Sequence, residues 1–325
     1  MEFEPGFEWH PVDPLNRKEA PPAPNPLGPL AELPGTWRGH GFNTIWRPHQ
    51  VGLPGEPARQ DRFLELNLTS ETLQFTRIPG NIPNRGFLQP DIELFGVTYL
   101  QQISDRIMHA GIHLEPGVWA RVPSTDDPKE TATVVRMGSI PHGTTINAQG
   151  TAITVDGGPK IEANNITPFV IGQPTNLIKF PETDLATPSK FRFPQPPQLA
   201  EIHQGMVDNP NSVLLDAIKD QKITKTVVLL INTSPATPLG GVPASPLVGG
   251  GTDNIAFLQG TNDGPNANAA QMSAIFWIET VEVPGRPPFL QLQYTQTVLL
   301  NFNGLSWPHV SVATLRKVEG ITGSV

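Results

Sequence analysis

The sequence predicts an all-β fold, a single closed antiparallel barrel of about ten strands, on three observations. Short runs rich in β-branched and aromatic residues recur along the chain, each bounded by turn residues. A single stretch, opened by Asn209-Pro210-Asn211, reads as a clear helix, with proline near the first helical position. The 37 prolines and 30 glycines of the 325 residues fall mostly between the β-type runs, where they punctuate loops. A closed barrel is preferred to an open sandwich because closure leaves no strand edge exposed. Two smaller barrels are the alternative.

The elements follow in order. Residues 1–33 read as a proline-rich arm containing Pro21-Pro22-Ala23-Pro24-Asn25-Pro26, with Phe7 and Trp9 apolar enough to dock on a body. The barrel domain spans 34–325. Its first block holds predicted strands at 36–46, 63–68, 72–78, 94–104, 111–122, 131–137 and 145–155, and Asp156-Gly157-Gly158-Pro159 ends it. A connector with a helix, residues 158–222, separates the two blocks, and a connector of that length usually covers something. Val213, Leu214, Leu215 and Ile218 form the helix's apolar stripe, read as plugging or capping the barrel. The second block holds predicted strands at 223–232, 255–259, 272–283, 289–301 and 309–318. Val283-Pro284-Gly285-Arg286-Pro287-Pro288 reads as a hairpin between two of them. The strand from His309 is expected to pair with the strand from Thr36. Trp37, Phe42, Ile45, Val118, Ile275, Trp277, Leu292 and Val298 are the expected core.

Composition removes several function classes. A net charge of −8 argues against a nucleic-acid partner, which needs a basic footprint. The absence of cysteine excludes disulfides, thiolate haem, iron–sulfur clusters and cysteine nucleophiles. No apolar run is long enough for a membrane helix. The acidic start, Met1-Glu2-Phe3-Glu4-Pro5, does not read as a secretory signal, and a cytoplasmic location is the expectation. Gly249-Gly250-Gly251 lacks a following Lys-Ser/Thr and helix, so it is no phosphate loop. Neither a Gly-x-Ser-x-Gly elbow nor a His-Glu-x-x-His helix is present.

What remains is histidine chemistry. His113 and Glu115 are two residues apart, so on a strand they share a face. They suit a paired base, a metal-ligand pair or a satisfied ion pair, the last being commonest. His142 lies in the turn Ser139-Ile140-Pro141-His142-Gly143-Thr144, and a turn histidine is usually just solvated. Arg85, among turn residues at a strand exit, suits either a bidentate carboxylate or haem propionate contact or a solvated turn charge, the latter about twice as common. His309 opens the final strand after Trp307-Pro308, and a neutral histidine nitrogen is a metal or haem-iron ligand.

A family resemblance joins these features. Gly35-Thr36-Trp37-Arg38-Gly39-His40-Gly41 followed by Thr44-Ile45, then Ile112-His113-Leu114-Glu115-Pro116-Gly117-Val118-Trp119, then Gly143 leading to Gln149-Gly150, resembles the nitrobindin family. Those proteins are ten-stranded lipocalin-like barrels that bind haem b. Their final strand begins with a histidine before a Leu/Ala-rich run, and His309, Val310, Val312, Ala313 and Leu315 are similar in kind. The resemblance implies haem b as cofactor and His309 as the proximal iron ligand. It places Thr44 and Ile45, with Arg85, among the haem-binding residues. It also implies nitric oxide, peroxynitrite or peroxidase-like chemistry at an open iron site. Nitrobindin domains are about half this length, within the usual domain range, so the chain reads as an enlarged member. The alternative is a non-haem barrel enzyme or a carrier of a small hydrophobic ligand. There His113, Glu115, His142 and His40 would surround a metal or act as acid–base groups. The expected partner is a small molecule, with no nucleic acid and no membrane, and a homodimer is left open.

Overall fold

The computed structural model describes residues 25–51, 59–87, 89–127, 129–195, 198–234, 250–260 and 264–318. Most of the predicted arm, Phe7 and Trp9 included, and Gly249 lie outside them. Ten long strands make the body: β1 (Gly35–Val51), β2 (Arg59–Arg77), β3 (Ile92–Asp105), β4 (Gly111–Val122), β5 (Thr133–Ile140), β6 (Thr144–Asp156), β7 (Lys222–Asn232), β8 (Asn268–Val283), β9 (Arg286–Phe302) and β10 (Leu305–Val318). Each pairs antiparallel with the next, and β10 pairs with β1 to close the ring. The closing register runs from Thr36 opposite Val318 to Thr44 opposite Val310. It needs glycine: a Cβ at Gly41 would lie 2.0 Å from the Val312 carbonyl oxygen. The two predicted blocks belong to one barrel, because β6 and β7 pair from Gln149–Asn232 to Asp156–Lys225.

Local readings are corrected at several points. The runs at 63–68 and 72–78 are one strand, β2. Its polar middle, Thr69-Ser70-Glu71, looks like a turn in sequence, but Thr69 and Glu71 are buried inside the barrel. Ile255–Gln259 is not a strand. Gly251–Asn254 pairs with β6 instead, and Ile255, Phe257 and Leu258 are exposed beyond it. The last strand starts at Leu305, four residues before His309. The Gly285 hairpin is present, with φ at +71°, a backbone conformation glycine adopts without strain.

Two hydrophobic cores share the barrel wall, because successive side chains on a strand point to opposite faces. The inner core contains Trp37, Phe75, Tyr99, Trp119, Phe276, Tyr294 and Leu315. The outer one contains Phe42, Trp46, Leu64, Trp277, Trp307 and Val312, covered by Ile166, Met206, Val207 and Leu214 of the connector. The connector carries two short α-helices, α1 (Gln204–Asp208) and α2 (Ser212–Ile218). They lie against the outside of the wall, so the plugging role expected for the helix is corrected. Leu214 is fully buried there, whereas Leu215 is 40% exposed. The inner core is filled instead by the end of the arm, where Leu27, Leu30 and Leu33 around a single 3₁₀ turn reach it. Of the expected core, Trp37, Phe42, Trp277, Leu292 and Val298 are buried, while Ile45, Val118 and Ile275 are half-buried. No helix among the described residues is long and apolar enough to cross a membrane.

Candidate functional site

Inside the barrel lies a cavity of about 350 Å³, within the range of small-molecule pockets. Its apolar wall includes Ile45 of β1, Ile103 of β3, Ile140 of β5, Met272 of β8, and Val298 and Leu300 of β9. Three imidazoles line it together: His113 from β4, His142 from the turn between β5 and β6, and His309 from β10. Residues nearly 200 positions apart in sequence meet because the ring closes between β1 and β10.

One polar end of the cavity is a buried network. The Arg136 guanidinium donates to Glu115 Oε1 at 2.7 Å, to Gln296 Oε1 at 2.7 Å and, through Nε, to the Tyr99 hydroxyl at 3.0 Å. Tyr99 also donates to Glu115. Glycine makes room for this packing: a Cβ at Gly138 would lie 2.5 Å from both the Glu115 carboxylate and the Tyr99 hydroxyl. The second Glu115 oxygen lies 3.2 Å from His113 Nε2. Burial would raise the Glu115 pKa, but Arg136 and His113 outweigh it and hold the carboxyl well below its ordinary value. Glu71 is buried without a cation in hydrogen-bond contact. It accepts from Tyr294 and Gln101, each at 2.7 Å, and desolvation pushes its pKa up to about 7.

His309 stands on the other side of this chemistry. Enclosure, and then the neighbouring His113 and His142, push its pKa down to about 3, so it is a free base at neutral pH. Its Nε2 lies 2.7 Å from Asn43 Oδ1, which also accepts from Ser311 Oγ at 2.7 Å. The His113 and His142 rings are 6.0 Å apart, centroid to centroid. Among the described residues, no three His, Asp or Glu side chains cluster as metal ligands.

The predicted site residues therefore divide. His113, His142, His309 and Ile45 line the cavity, and Glu115 backs it through His113. Thr44 points to the other face of β1 and donates to the Val310 carbonyl at 3.4 Å. Arg85 is half-exposed in its turn, ion-paired with Asp91 at 2.5 Å, and is not among the cavity-lining residues; the solvated-turn reading describes it. His40 is exposed, 3.4 Å from Ser70 Oγ. The arginine that does line the cavity is Arg47, paired with Glu65 at 2.5 Å. Arg136, Gln101, Gln296 and Asn43 carry no local motif. Their only sequence signal is a polar residue at an inward position of an otherwise apolar strand face.

No family model matches the chain, and no curated protein matches it. Among solved structures, the crystal structure of Rv2717c from M. tuberculosis is similar at a TM-score of 0.38 and 13% identity, over 90% of this chain and 97% of that one.

Proposed function

We propose that this chain is a haem-b-binding barrel of the nitrobindin kind, with His309 as its iron ligand. The observation that carries the reading is His309 itself. It is an uncharged imidazole facing an apolar-walled cavity, with one ring nitrogen engaged by Asn43 and the other left over. That is the pattern of ligating histidines, whose non-ligating nitrogen donates to a neighbouring acceptor. The residues fit the group in two further respects. Ile45, Ile103, Ile140 and Val298 supply an apolar surface for a flat macrocycle, and Arg47 supplies a cation for a propionate. Haem bound there would supply an iron open to a small molecule such as nitric oxide or peroxynitrite. In this reading His309 binds, the isoleucines exclude water, and His113, aligned by Glu115, holds a proton at Nε2 toward the carboxylate.

Titrating haem into the purified protein tests this. A Soret band that saturates at one equivalent is expected, and His309→Ala should lose it while keeping the β-type circular dichroism spectrum. A wild-type protein that gives no Soret band overturns the haem reading. A second reading then stands on the His113–Glu115 contact of 3.2 Å beside His142: a barrel that binds a small hydrophobic molecule with its polar end at this cluster. Loss of binding of such a molecule in His113→Ala, with no effect of His309→Ala, would favour it.

A further inference from the structure

Behind His309 a line of polar side chains crosses four adjacent strands. Asn43 of β1 stands directly opposite Ser311 of β10 on one side and Asn67 of β2 on the other. Asn43 Nδ2 donates to Asn67 Oδ1 at 3.4 Å, and Asn67 Nδ2 donates to Asp105 Oδ2 at 3.0 Å, at the end of β3. All three are buried. Asp105 is also anchored from below. Its Oδ1 accepts the backbone N–H groups of Ile107 at 2.7 Å and Met108 at 2.5 Å, in the turn leading to β4.

The line has a direction. A carboxylate only accepts, whereas an asparagine amide has one accepting and one donating end. Asp105 therefore requires the NH₂ of Asn67. That leaves the Asn67 oxygen for Asn43, which must present its own NH₂ there. The Asn43 oxygen is then turned toward His309 Nε2 and Ser311 Oγ, and an oxygen acceptor at 2.7 Å needs a proton on Nε2. Reversing Asn43 would force Asn67 to reverse, setting its carbonyl oxygen against the Asp105 carboxylate. The cost of the wrong tautomer is thus carried three side chains away.

We propose that Asp105 is a positioning residue for His309. Acting through Asn67 and Asn43, it sets the imidazole proton on Nε2 and leaves the lone pair on Nδ1, the nitrogen that meets the iron if His309 holds haem as proposed above. Sequence offers no hint of this, since Asn43, Asn67, Asp105 and His309 belong to four separate strands. Removing a hydrogen-bond partner that orients a ligating histidine typically weakens metal binding by about 10–100-fold.

The test reads the tautomer directly, without haem. Two-bond ¹H–¹⁵N spectra of histidine-labelled protein at pH 7, with the His309 signals identified by their loss in His309→Gln, distinguish a protonated Nε2 from a protonated Nδ1. Wild type should show Nε2–H alone. Asp105→Asn keeps a carbonyl on the Ile107 and Met108 N–H groups and so turns an NH₂ toward Asn67, reversing the line, and Asn43→Ala removes the acceptor. In each, the two His309 nitrogen shifts should leave the wild-type Nε2–H pattern, converging where the tautomers mix in Asn43→Ala and moving toward the Nδ1–H pattern in Asp105→Asn. A wild-type Nδ1–H tautomer overturns the proposal, as do unchanged shifts in the folded variants, and the wild-type spectrum decides if neither variant folds. An Nε2–H His309 in a protein that gives no Soret band would refute the haem reading and leave the tautomer lock standing. A Soret band with Nδ1–H would do the reverse.

Discussion

Arg136 and Glu71 show how differently one barrel interior treats charge. Arg136 is surrounded: its guanidinium meets Glu115, Tyr99 and Gln296 and lies over the Trp119 and Phe276 rings at 5.8 and 5.4 Å. An ion pair so enclosed stabilises little by itself, but removing one partner strands the other in a dry environment. Glu71 lacks such a partner and keeps its proton up to about pH 7, as does Glu279 on the outer face beneath the connector, where Gln291 donates to it at 2.7 Å. Both folded pKa values are raised above the ordinary carboxylate value of 4.5. Their contribution to stability is therefore fully present below about pH 4.5 and is lost as pH rises through about 7. Each contributes up to about 3 kcal/mol across that window, since one pKa unit corresponds to about 1.4 kcal/mol. Urea titrations at pH 5 and pH 7.5 check this: Glu71→Gln should flatten the decline, and an equal decline in the variant would refute it. None of this was legible in the sequence. A buried glutamate on an inward face of β2 reads like a solvent-facing glutamate on an edge, because period-2 alternation reports sidedness, not what lies on each side.

At the scale of elements, the arm and the connector exchange the roles their composition suggests. The connector has the helix and the apolar stripe, yet it spreads over the outside of β1, β2 and β8–β10. It is pinned there by Trp46 Nε1 donating to the Ile166 carbonyl at 3.0 Å and by Gln293 Nε2 donating to the Leu214 carbonyl at 2.9 Å. The arm's last turn, short and unremarkable in sequence, puts Leu30 fully inside. The reason is geometric. A barrel end offers a small opening that one 3₁₀ turn fills, whereas the broad outer face carrying Phe42, Trp46 and Trp307 needs an extended cover to bury them. Leu30→Ala and Leu214→Ala should each cost about 2–5 kcal/mol, the usual range for emptying a buried leucine site. Both should lower the denaturant midpoint without changing the slope of the transition, because cover and barrel unfold together. A two-step transition in Leu214→Ala would show that the connector comes off separately.

For the whole molecule, closure is the feature the sequence stated most plainly. Two terminal β-type runs, from Thr36 and from His309, and the liability of an exposed strand edge implied that the two meet, and β1 and β10 do. The interior polar network and the Asn43–Asn67–Asp105 line escaped detection because each member is a lone polar residue on its own strand, matched to its partner only by the strand register, and ring closure then adds Gln296 and His309. Gly41→Val tests the closure: with no space for a side chain beside the Val312 carbonyl, the variant should leave two unpaired edges and associate, seen as a shift to larger species in size-exclusion chromatography. A monomer of wild-type stability would disprove the requirement. Closure also has a temporal side. During synthesis β10 is the last of the ten strands to leave the ribosome, on the order of tens of seconds after β1 at ordinary elongation rates. Until then β1 is paired with β2 along one edge and open along the other, and His309 has not yet been added. The same final strand that seals the nascent barrel also delivers the imidazole, so a half-made chain has neither an intact wall nor a complete cavity lining.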